Sequence, residues 1–355
     1  RDPCVERREG HRRRYPRRVG CANRPKRYRE RVNPLCFVTG ASGFVGRHLV
    51  PQLAREFRLR VLARAGQPLP QFDGLAVERI DGRLDDQAAV RAGLAGADCV
   101  VHLAALVSFR PQDRAEMFAV NTNGTELLAA AARRAGVRRF VHVSTISAVA
   151  FSLRPELLDE RTPYNFGPLR IGYCDSKFAA EQAVLREARH GLDAVIVNPP
   201  SMYGRGDRRK GDGSLIGMVL AGGVRVAPPG GINVANVEDV CDGIVRALHR
   251  GRTGERYILG GENLTGAGLL QRIADVVGGR APRRRVPRRV VDAGARVLGW
   301  SERWLGSRVP VTSEVLRLAG RYLWYSSAKA ERELDWRAGP VDAGIAAAHR
   351  ELTGN

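Results

Sequence analysis

The chain has 355 residues, of which 44% are hydrophobic, enough for one large core or two medium ones. No apolar run reaches about 18 residues, so we expect no membrane-spanning helix. The formal net charge is +21, but only four of the 58 basic residues are Lys. Such an Arg bias is typical of a GC-rich genome, so we expect no nucleic-acid partner. The six Cys contain no C-x-x-C pair, which argues against a disulfide framework or a metal site and favours a reducing cytoplasm.

The N-terminal segment, residues 1–34, holds 13 basic and four acidic residues and almost no apolar ones. This composition predicts a disordered tail, and it lacks the apolar core of a signal peptide. Three interpretations stay open: a basic arm for nucleic acid, an atypical targeting segment, or upstream sequence included by a wrongly chosen start. We favour the last.

From residue 35 onwards, strand-like and helix-like segments alternate. Apolar strand patterns occupy 35–39, 58–63, 76–80, 98–104, 139–145 and 193–198. Helical patterns occupy 43–56, 86–95, 115–136 and 173–190, and the first places Val45, Leu49 and Leu53 on one face. Strands separated by helices of this length indicate parallel pairing, so we predict an α/β fold with a doubly wound parallel sheet. We assign residues 35–200 to a nucleotide-binding domain to which 232–260 return, and 201–355 mainly to a smaller, partly helical substrate lobe.

The sequence "VTGASGFVG" joins the first strand to the first helix. Gly40, Gly43 and Gly46 are spaced G-x-x-G-x-x-G. In a strand-to-helix turn, such glycines permit the tight bend, the approach of a pyrophosphate to the main chain, and close packing of the helix. The amides at the start of the helix then face the phosphates. We therefore predict a dinucleotide site.

The residues that follow the second strand determine whether such a site prefers a hydroxyl or a phosphate at the 2′ position of the cofactor. Many NAD-binding folds place an acid there, whereas "VLARAGQ" has Arg64 and no neighbouring acid. A guanidinium suits a 2′-phosphate, which favours NADP(H) and leaves NAD(H) possible.

Two Tyr-x-x-x-Lys pairs occur, Tyr173 with Lys177 and Tyr325 with Lys329. Four-residue spacing places both side chains on one helix face. Tyr173 lies between two predicted strands of the nucleotide-binding half, at the sheet edge where such folds bind ligands. Tyr325 lies far beyond those strands, in "YSSAKAERELDW", and is expected to be structural. We therefore assign Tyr173 as the proton donor.

Several motifs together resemble the extended short-chain dehydrogenase/reductase family, also called the NAD-dependent epimerase/dehydratase family. They cover about residues 35–350 and include "TGASGFVG", "VVHLAA", "NTNGTELLAAA", "FVHVSTISAV", "YCDSK", "VNPPSMYGRGD" and "GERYILGGENLT". The chain looks most similar to bacterial relatives of dihydroflavonol 4-reductases and 3β-hydroxysteroid dehydrogenases. Its "VNPPSMYGRGD" and "YILGGENLT" motifs also resemble hopanoid-associated sugar epimerases. The resemblance implies a Rossmann fold, and a homodimer, since members of the family are often dimers.

The resemblance also implies roles for individual residues. Lys177 would lower the pKa of Tyr173 and bind the nicotinamide ribose, and Thr145 would donate to the substrate oxygen, with Ser147 a weaker candidate. "GRLDD" departs from the family pattern because Arg83 replaces an acid near the adenine. Either Asp81 or Asp85 compensates, or Arg83 adds to a 2′-phosphate site. The residues expected at the cofactor are Gly40, Ser42, Gly43, Phe44, Val45, Gly46, Arg64, Arg83, Leu84, Leu103, Ala104, Ala105, Asn121, Ser144, Tyr173, Lys177, Pro199 and Pro200.

Three functions remain as alternatives. The first is NAD(P)-dependent reduction of a ketone or aldehyde, or the reverse oxidation of the alcohol. The second is epimerisation or dehydration of a nucleotide-sugar with tightly held NAD, for which Arg205, Arg208, Arg209 and Lys210 could form a diphosphate clamp or merely a solvated loop. The third is a regulatory or scaffold protein that binds nucleotide and has a basic tail. We favour the first.

Overall fold

The computed structural model describes residues 33–206, 214–305 and 312–354. Most of the predicted tail, and Arg208, Arg209 and Lys210 of the predicted clamp, lie outside the described residues. None of the described helices is long and apolar enough to cross a membrane.

Within these ranges the strands are β1 (Leu35–Thr39), β2 (Arg58–Ala63), β3 (Val77–Asp81), β4 (Cys99–His102), β5 (Arg139–Val143), β6 (Ala194–Asn198), β7 (Ser201–Tyr203), β8 (Val226–Ala227), β9 (Gly231–Asn236), β10 (Arg256–Ile258), β11 (Glu262–Thr265), β12 (Arg284–Arg285) and β13 (Tyr322–Leu323). The α-helices are α1 (Phe44–Leu53), α2 (Gln87–Leu94), α3 (Arg114–Met117), α4 (Gly124–Arg134), α5 (Gly172–Arg189), α6 (Leu215–Leu220), α7 (Val237–Arg250), α8 (Gly266–Val277), α9 (Arg288–Leu305), α10 (Ser313–Leu318), α11 (Ala328–Leu334) and α12 (Asp342–Thr353).

A seven-stranded parallel sheet has the order β3-β2-β1-β4-β5-β6-β10. Strands β1, β4, β5 and β6 are buried along their whole length, as expected for a parallel sheet covered on both faces. One face packs against α1, α7 and α11, and the other against α2, α4 and α5. The predicted doubly wound α/β fold is confirmed, and β10, which follows α7, extends its edge.

The C-terminal part contains a second, smaller sheet. In it β9 pairs with β7, β11 and β13. Helices α6, α8 and α12 cover it with a separate apolar core. The sequence predicted a partly helical lobe here but none of these strands.

Two details differ from the predicted helices. On α1 the buried side chains include Leu49, Val50 and Leu53, whereas Val45 is only partly buried. The predicted helix 115–136 is not uniform: α3 leads through a π-helical segment, Phe118–Asn123, into α4. The wider turn carries the buried Asn121, whose contacts are described below.

Candidate active site

The glycine turn between β1 and α1 packs directly on the loop that follows β4. Gly40 has φ +73°, and a Cβ there would lie 2.5 Å from the backbone N of Ala104. The amide of Gly43 donates to the Gly40 carbonyl at 3.0 Å, and a Cβ on Gly46 would lie 2.3 Å from the Ala41 carbonyl oxygen. Only glycines permit this double approach of backbone to backbone.

The same turn fits a dinucleotide. Helix α1 begins at Phe44 and has no acidic residue in its first turn, so its first amides present unopposed positive partial charge. Ser42, Phe44 and Val45 are half-buried around the turn, and Leu103, Ala104 and Ala105 are half-buried beside it. A pyrophosphate needs this combination of free amides and closely approachable backbone.

Two arginines follow the adjacent strands β2 and β3. Arg64 is exposed one residue after β2, and Arg83, two residues after β3, contacts Asp85 at 3.3 Å. Asp81 already pairs with Arg79 at 2.7 Å. Both acids considered as adenine partners are thus paired with an arginine, and Arg64, which contacts Gln67 at 3.4 Å, is not part of either pair.

Other predicted cofactor residues occupy the neighbouring strand ends. Leu84 is buried against the start of α4 at Gly124. The backbone N–H of Ser144 donates to Val197 at 2.8 Å, and Pro199 and Pro200 are buried directly after β6.

Lys177 lies on α5, one turn after Tyr173, and its side chain is almost fully buried. Its Nζ donates to the Val143 carbonyl at 3.0 Å and lies 3.5 Å from Nε2 of His142. Burial lowers the pKa of Lys177 to about 8, and the nearby Glu181 opposes that shift. The ammonium therefore stays protonated at neutral pH but titrates just above it.

Tyr173 is half-buried at the start of α5, with its ring packed edge-on against Phe109 at 5.7 Å between centroids. The first amide of the helix, that of Gly172, donates to the buried Glu314 carboxylate at 3.3 Å. A carboxylate at a helix N-terminus stabilises the helix and fixes its start. Tyr173 is thereby held beside an anchored backbone.

Thr145 follows β5 and is nearly buried. Its hydroxyl oxygen accepts from the amide of Ser147 at 3.2 Å, which leaves the hydroxyl proton to donate elsewhere. Its carbonyl accepts from the Asn198 side chain at 2.8 Å, and the amide of Ile146 donates to Pro199 at 2.9 Å. The ends of β5 and β6 are thus tied together at Thr145.

Asn121 connects the loop after β4 with α5. Its Oδ1 accepts from the amide of Leu106 at 2.7 Å, and its Nδ2 donates to the Leu106 carbonyl at 2.9 Å and to Ser176 Oγ at 3.0 Å. Ser176 immediately precedes Lys177 in the chain. The fully buried side-chain amide of Asn121 therefore fixes the distance between the loop after β4 and helix α5, which carries Tyr173.

The second Tyr-x-x-x-Lys pair is used differently. Tyr325 is buried, and its hydroxyl donates to the carbonyls of Ile146, at 3.0 Å, and Ala150. Burial also raises its pKa. Lys329 instead binds Glu255 and the Arg256 carbonyl, both at 2.7 Å. Tyr325 thus holds the turn that follows Thr145, a role the sequence does not reveal.

A buried polar cluster next to Lys177 was not predicted from the sequence; it consists of Glu181, Asn198 and Arg256. Glu181 is fully buried one turn further along α5 and accepts from Asn198 at 2.6 Å. Arg256 pairs with it at 3.2 Å from the edge strand β10. Burial raises the pKa of Glu181, and the Arg256 guanidinium opposes this. The sequence signal that could have identified Glu181 is its spacing of four residues from Lys177, which places both side chains on one face of α5.

A cavity of about 650 Å³ lies between α9, α10 and the loop that precedes α5. Arg170, three residues before Tyr173, lies on its wall. The other arginines that line it are Arg288, Arg296, Arg317 and Arg321. Several of these have internal partners: Arg317 donates to the Leu169 carbonyl at 3.0 Å, and Arg288 forms an ion pair with Asp292 at 3.3 Å.

The parallel sheet and its glycine turn define a Rossmann-type dinucleotide-binding enzyme. A model of the NAD dependent epimerase/dehydratase family matches residues 36–260, more than half of the chain. The chain therefore belongs to this family, the extended short-chain dehydrogenase/reductases, as the motifs predicted. Members act on their substrates with NAD(P), so the protein is an NAD(P)-dependent oxidoreductase or epimerase of that type.

Individual relatives cover most of the chain. "Sterol demethylase protein B" of Methylococcus capsulatus is 38% identical over 260 residues, covering 72% of this chain and 78% of that protein. A ketoreductase of Stigmatella aurantiaca, named for a farnesylated dihydroquinoline oxide, is 34% identical over 308 residues, covering 84% and 91%. The crystal structure of gox2253 superposes with a TM-score of 0.80 at 32% identity, covering 91% of this chain and 98% of that one.

Proposed function

We propose that the protein is an NADPH-dependent reductase that converts a ketone or aldehyde to an alcohol, with Tyr173 as acid, Lys177 as its electrostatic partner and Thr145 as the donor that orients the substrate oxygen. The observation that carries this proposal is the buried Lys177 ammonium, which lies one helical turn from Tyr173 on α5. It is fixed to the carbonyl of Val143, the last residue of β5, two residues before Thr145.

Bound nicotinamide supplies the hydride. The Thr145 hydroxyl donates a hydrogen bond to the carbonyl oxygen, which polarises the carbonyl and holds it in place while Thr145 keeps its proton. Tyr173 then delivers a proton to that oxygen as negative charge develops on it. A free tyrosine has a pKa of about 10, and the neighbouring Lys177 ammonium favours the phenolate left behind. Because Lys177 is desolvated, this effect is larger than it would be in water.

The choice of NADPH rests on Arg64 and Arg83 at the ends of β2 and β3. Arg64 and Arg83 follow neighbouring parallel strands. Asp81 is paired with Arg79, and Asp85 is paired with Arg83 itself. A 2′-phosphate gains charge-assisted hydrogen bonds there, whereas a ribose hydroxyl finds no unpaired carboxylate from Asp81 or Asp85.

The names of two relatives that cover most of the chain bear on the reaction and on the substrate class. One is named a ketoreductase of a farnesylated dihydroquinoline oxide, and another carries a sterol in its name. Both names describe large apolar ring systems. We therefore place ring ketones of this size first among candidate substrates.

A nucleotide-sugar epimerase or dehydratase is the second candidate, favoured by the arginine-lined cavity next to the loop before α5. An anionic diphosphate suits several converging guanidinium groups. Since both reactions use the same three residues, the cofactor's behaviour separates them.

The test is to purify the protein, identify any nucleotide it retains, and follow NADPH oxidation with a panel of ring ketones and of nucleotide-sugars. An exchangeable site that prefers NADPH, together with turnover of a ketone, is the expected result. Tightly retained NAD with turnover of a nucleotide-sugar would overturn the reductase assignment in favour of the epimerase.

A further inference from the structure

Helix α9 presents an apolar face to solvent. Val290, Val297 and Trp300 are 58%, 69% and 67% exposed, among the most exposed large apolar side chains of the described residues. Their spacing of seven and three residues places them on one face, on which Ala293 is also exposed. The small Ala295 on the other side of the helix is buried. A single exposed valine is ordinary, but a stripe that ends in a tryptophan marks an interaction surface.

The border of this face is strongly basic. Residues 280–302 contain seven Arg and two acidic residues. Exposed side chains next to the stripe include Arg289 and Arg296, and Arg283–Arg285 precede it. The basic segment is held in place, because β12 pairs with β8 and the amide of Val286 donates to Ala227 at 3.1 Å.

We propose that α9 lies in the plane of an anionic lipid surface, with Val290, Val297 and Trp300 inserted at the headgroup boundary and the surrounding arginines on lipid phosphates. A helix with a basic polar side and a Trp-containing apolar side has the composition of interfacial helices. Arginine side chains bury their stems against apolar surface while their charged ends reach anionic headgroups. Neighbouring positive charge argues for an acidic lipid surface over a neutral apolar partner.

Docking in this way brings the arginine-lined cavity to the lipid surface. Arg296 and Trp300 belong both to the exposed face and to the wall of that cavity. The proposal does not depend on the reaction assigned above, because it rests on the surface of α9 and on the arginines that border it.

The test is flotation of the full-length protein with vesicles of equal parts phosphatidylcholine and phosphatidylserine, compared with phosphatidylcholine alone. We expect binding to the acidic vesicles only, and a fall in the partition coefficient of about tenfold or more in the triple variant Val290→Ser, Val297→Ser and Trp300→Ser. The matched control, Leu153→Ser with Leu157→Ser, removes side chains that are 51% and 63% exposed and should bind like the wild type.

The contribution of the arginines and the insertion depth of Trp300 are tested separately. Arg285→Glu with Arg289→Glu should weaken binding to acidic vesicles, whereas Arg91→Glu with Arg134→Glu, exposed positions elsewhere, should change it little. Brominated phosphatidylserine should quench a fluorescence component that Trp300→Phe lacks. This readout separates α9 from the basic segment at residues 1–32, which is identical in all variants.

Wild-type protein that ignores acidic vesicles, a triple variant that binds as well as its control, or quenching unchanged in Trp300→Phe would each overturn the proposal. A triple variant that loses an oligomeric state in light scattering would assign the face to a second copy of this chain instead. Activity is not part of these measurements, so failure of the reductase assignment would leave them unaffected.

Discussion

The two Tyr-x-x-x-Lys pairs offer a matched experiment, because the same substitution should have opposite effects at the two positions. Tyr173→Phe removes the predicted acid without changing the apolar ring that packs on Phe109. Loss of a positioned general acid reduces turnover roughly a hundredfold to ten-thousandfold. Cofactor affinity and stability should remain close to those of the wild type.

Tyr325→Phe removes a buried hydroxyl that donates to Ile146 and Ala150. The lost hydrogen bond, with two buried carbonyls left short of a donor, should lower the free energy of unfolding by about 1–2 kcal/mol. Because the turn after Thr145 is loosened rather than removed, we expect turnover to fall less than about tenfold.

Both variants are compared by NADPH oxidation with an accepted ketone, by cofactor titration and by chemical denaturation. The assignment would be refuted if Tyr173→Phe kept the wild-type rate. It would also fail if Tyr325→Phe lost turnover to the same extent as Tyr173→Phe with no change in stability.

Four further outcomes are expected. The rate of reduction should decline above about pH 8, where Lys177 loses its proton, and a profile that stays flat to about pH 10 would contradict this role. Arg64→Asp should weaken NADPH binding roughly tenfold to a hundredfold while affecting NADH much less, and equal losses in titration would remove the 2′-phosphate assignment. Gly40→Ala should impair cofactor binding and stability more than Gly136→Ala; both glycines have positive φ, but only at Gly40 would a Cβ meet backbone. Burial lowers the pKa of His102 to about 3, so the unfolded chain alone takes up this proton as pH falls below about 6.5. The free energy of unfolding should therefore drop by about 1 kcal/mol near pH 5.5, a dependence that His102→Gln should lessen in denaturation curves.

The nucleotide-binding half was predictable because its signals are local. The strand at residues 35–39 is observed with those bounds, since a short apolar run between turn residues has few alternatives in an α/β pattern. Gly40 and Gly46 were recognisable because a tight turn restricts backbone and packing within a few residues.

Long-range contacts were not predictable in the same way. The hydroxyl of Tyr325 binds a carbonyl 179 positions earlier in the chain, and no spacing rule reports such a contact. Strand β13 has only two residues and pairs with β9, so neither its length nor its period identifies it. Arg256 meets Glu181 only because β10 joins the sheet beside β6.

The π-helical segment Phe118–Asn123 makes this part of the chain sensitive to length. Removing a single residue there would let the segment tighten into ordinary α-helix, which leaves α3 and α4 in place but reorients the side chains within the turn. Asn121 would then swing away from both Leu106 and Ser176, which it now bridges. Point substitutions at positions of this segment other than Asn121 should consequently be tolerated better than the deletion of one residue, so the length of this segment is constrained more strongly than most of its side chains.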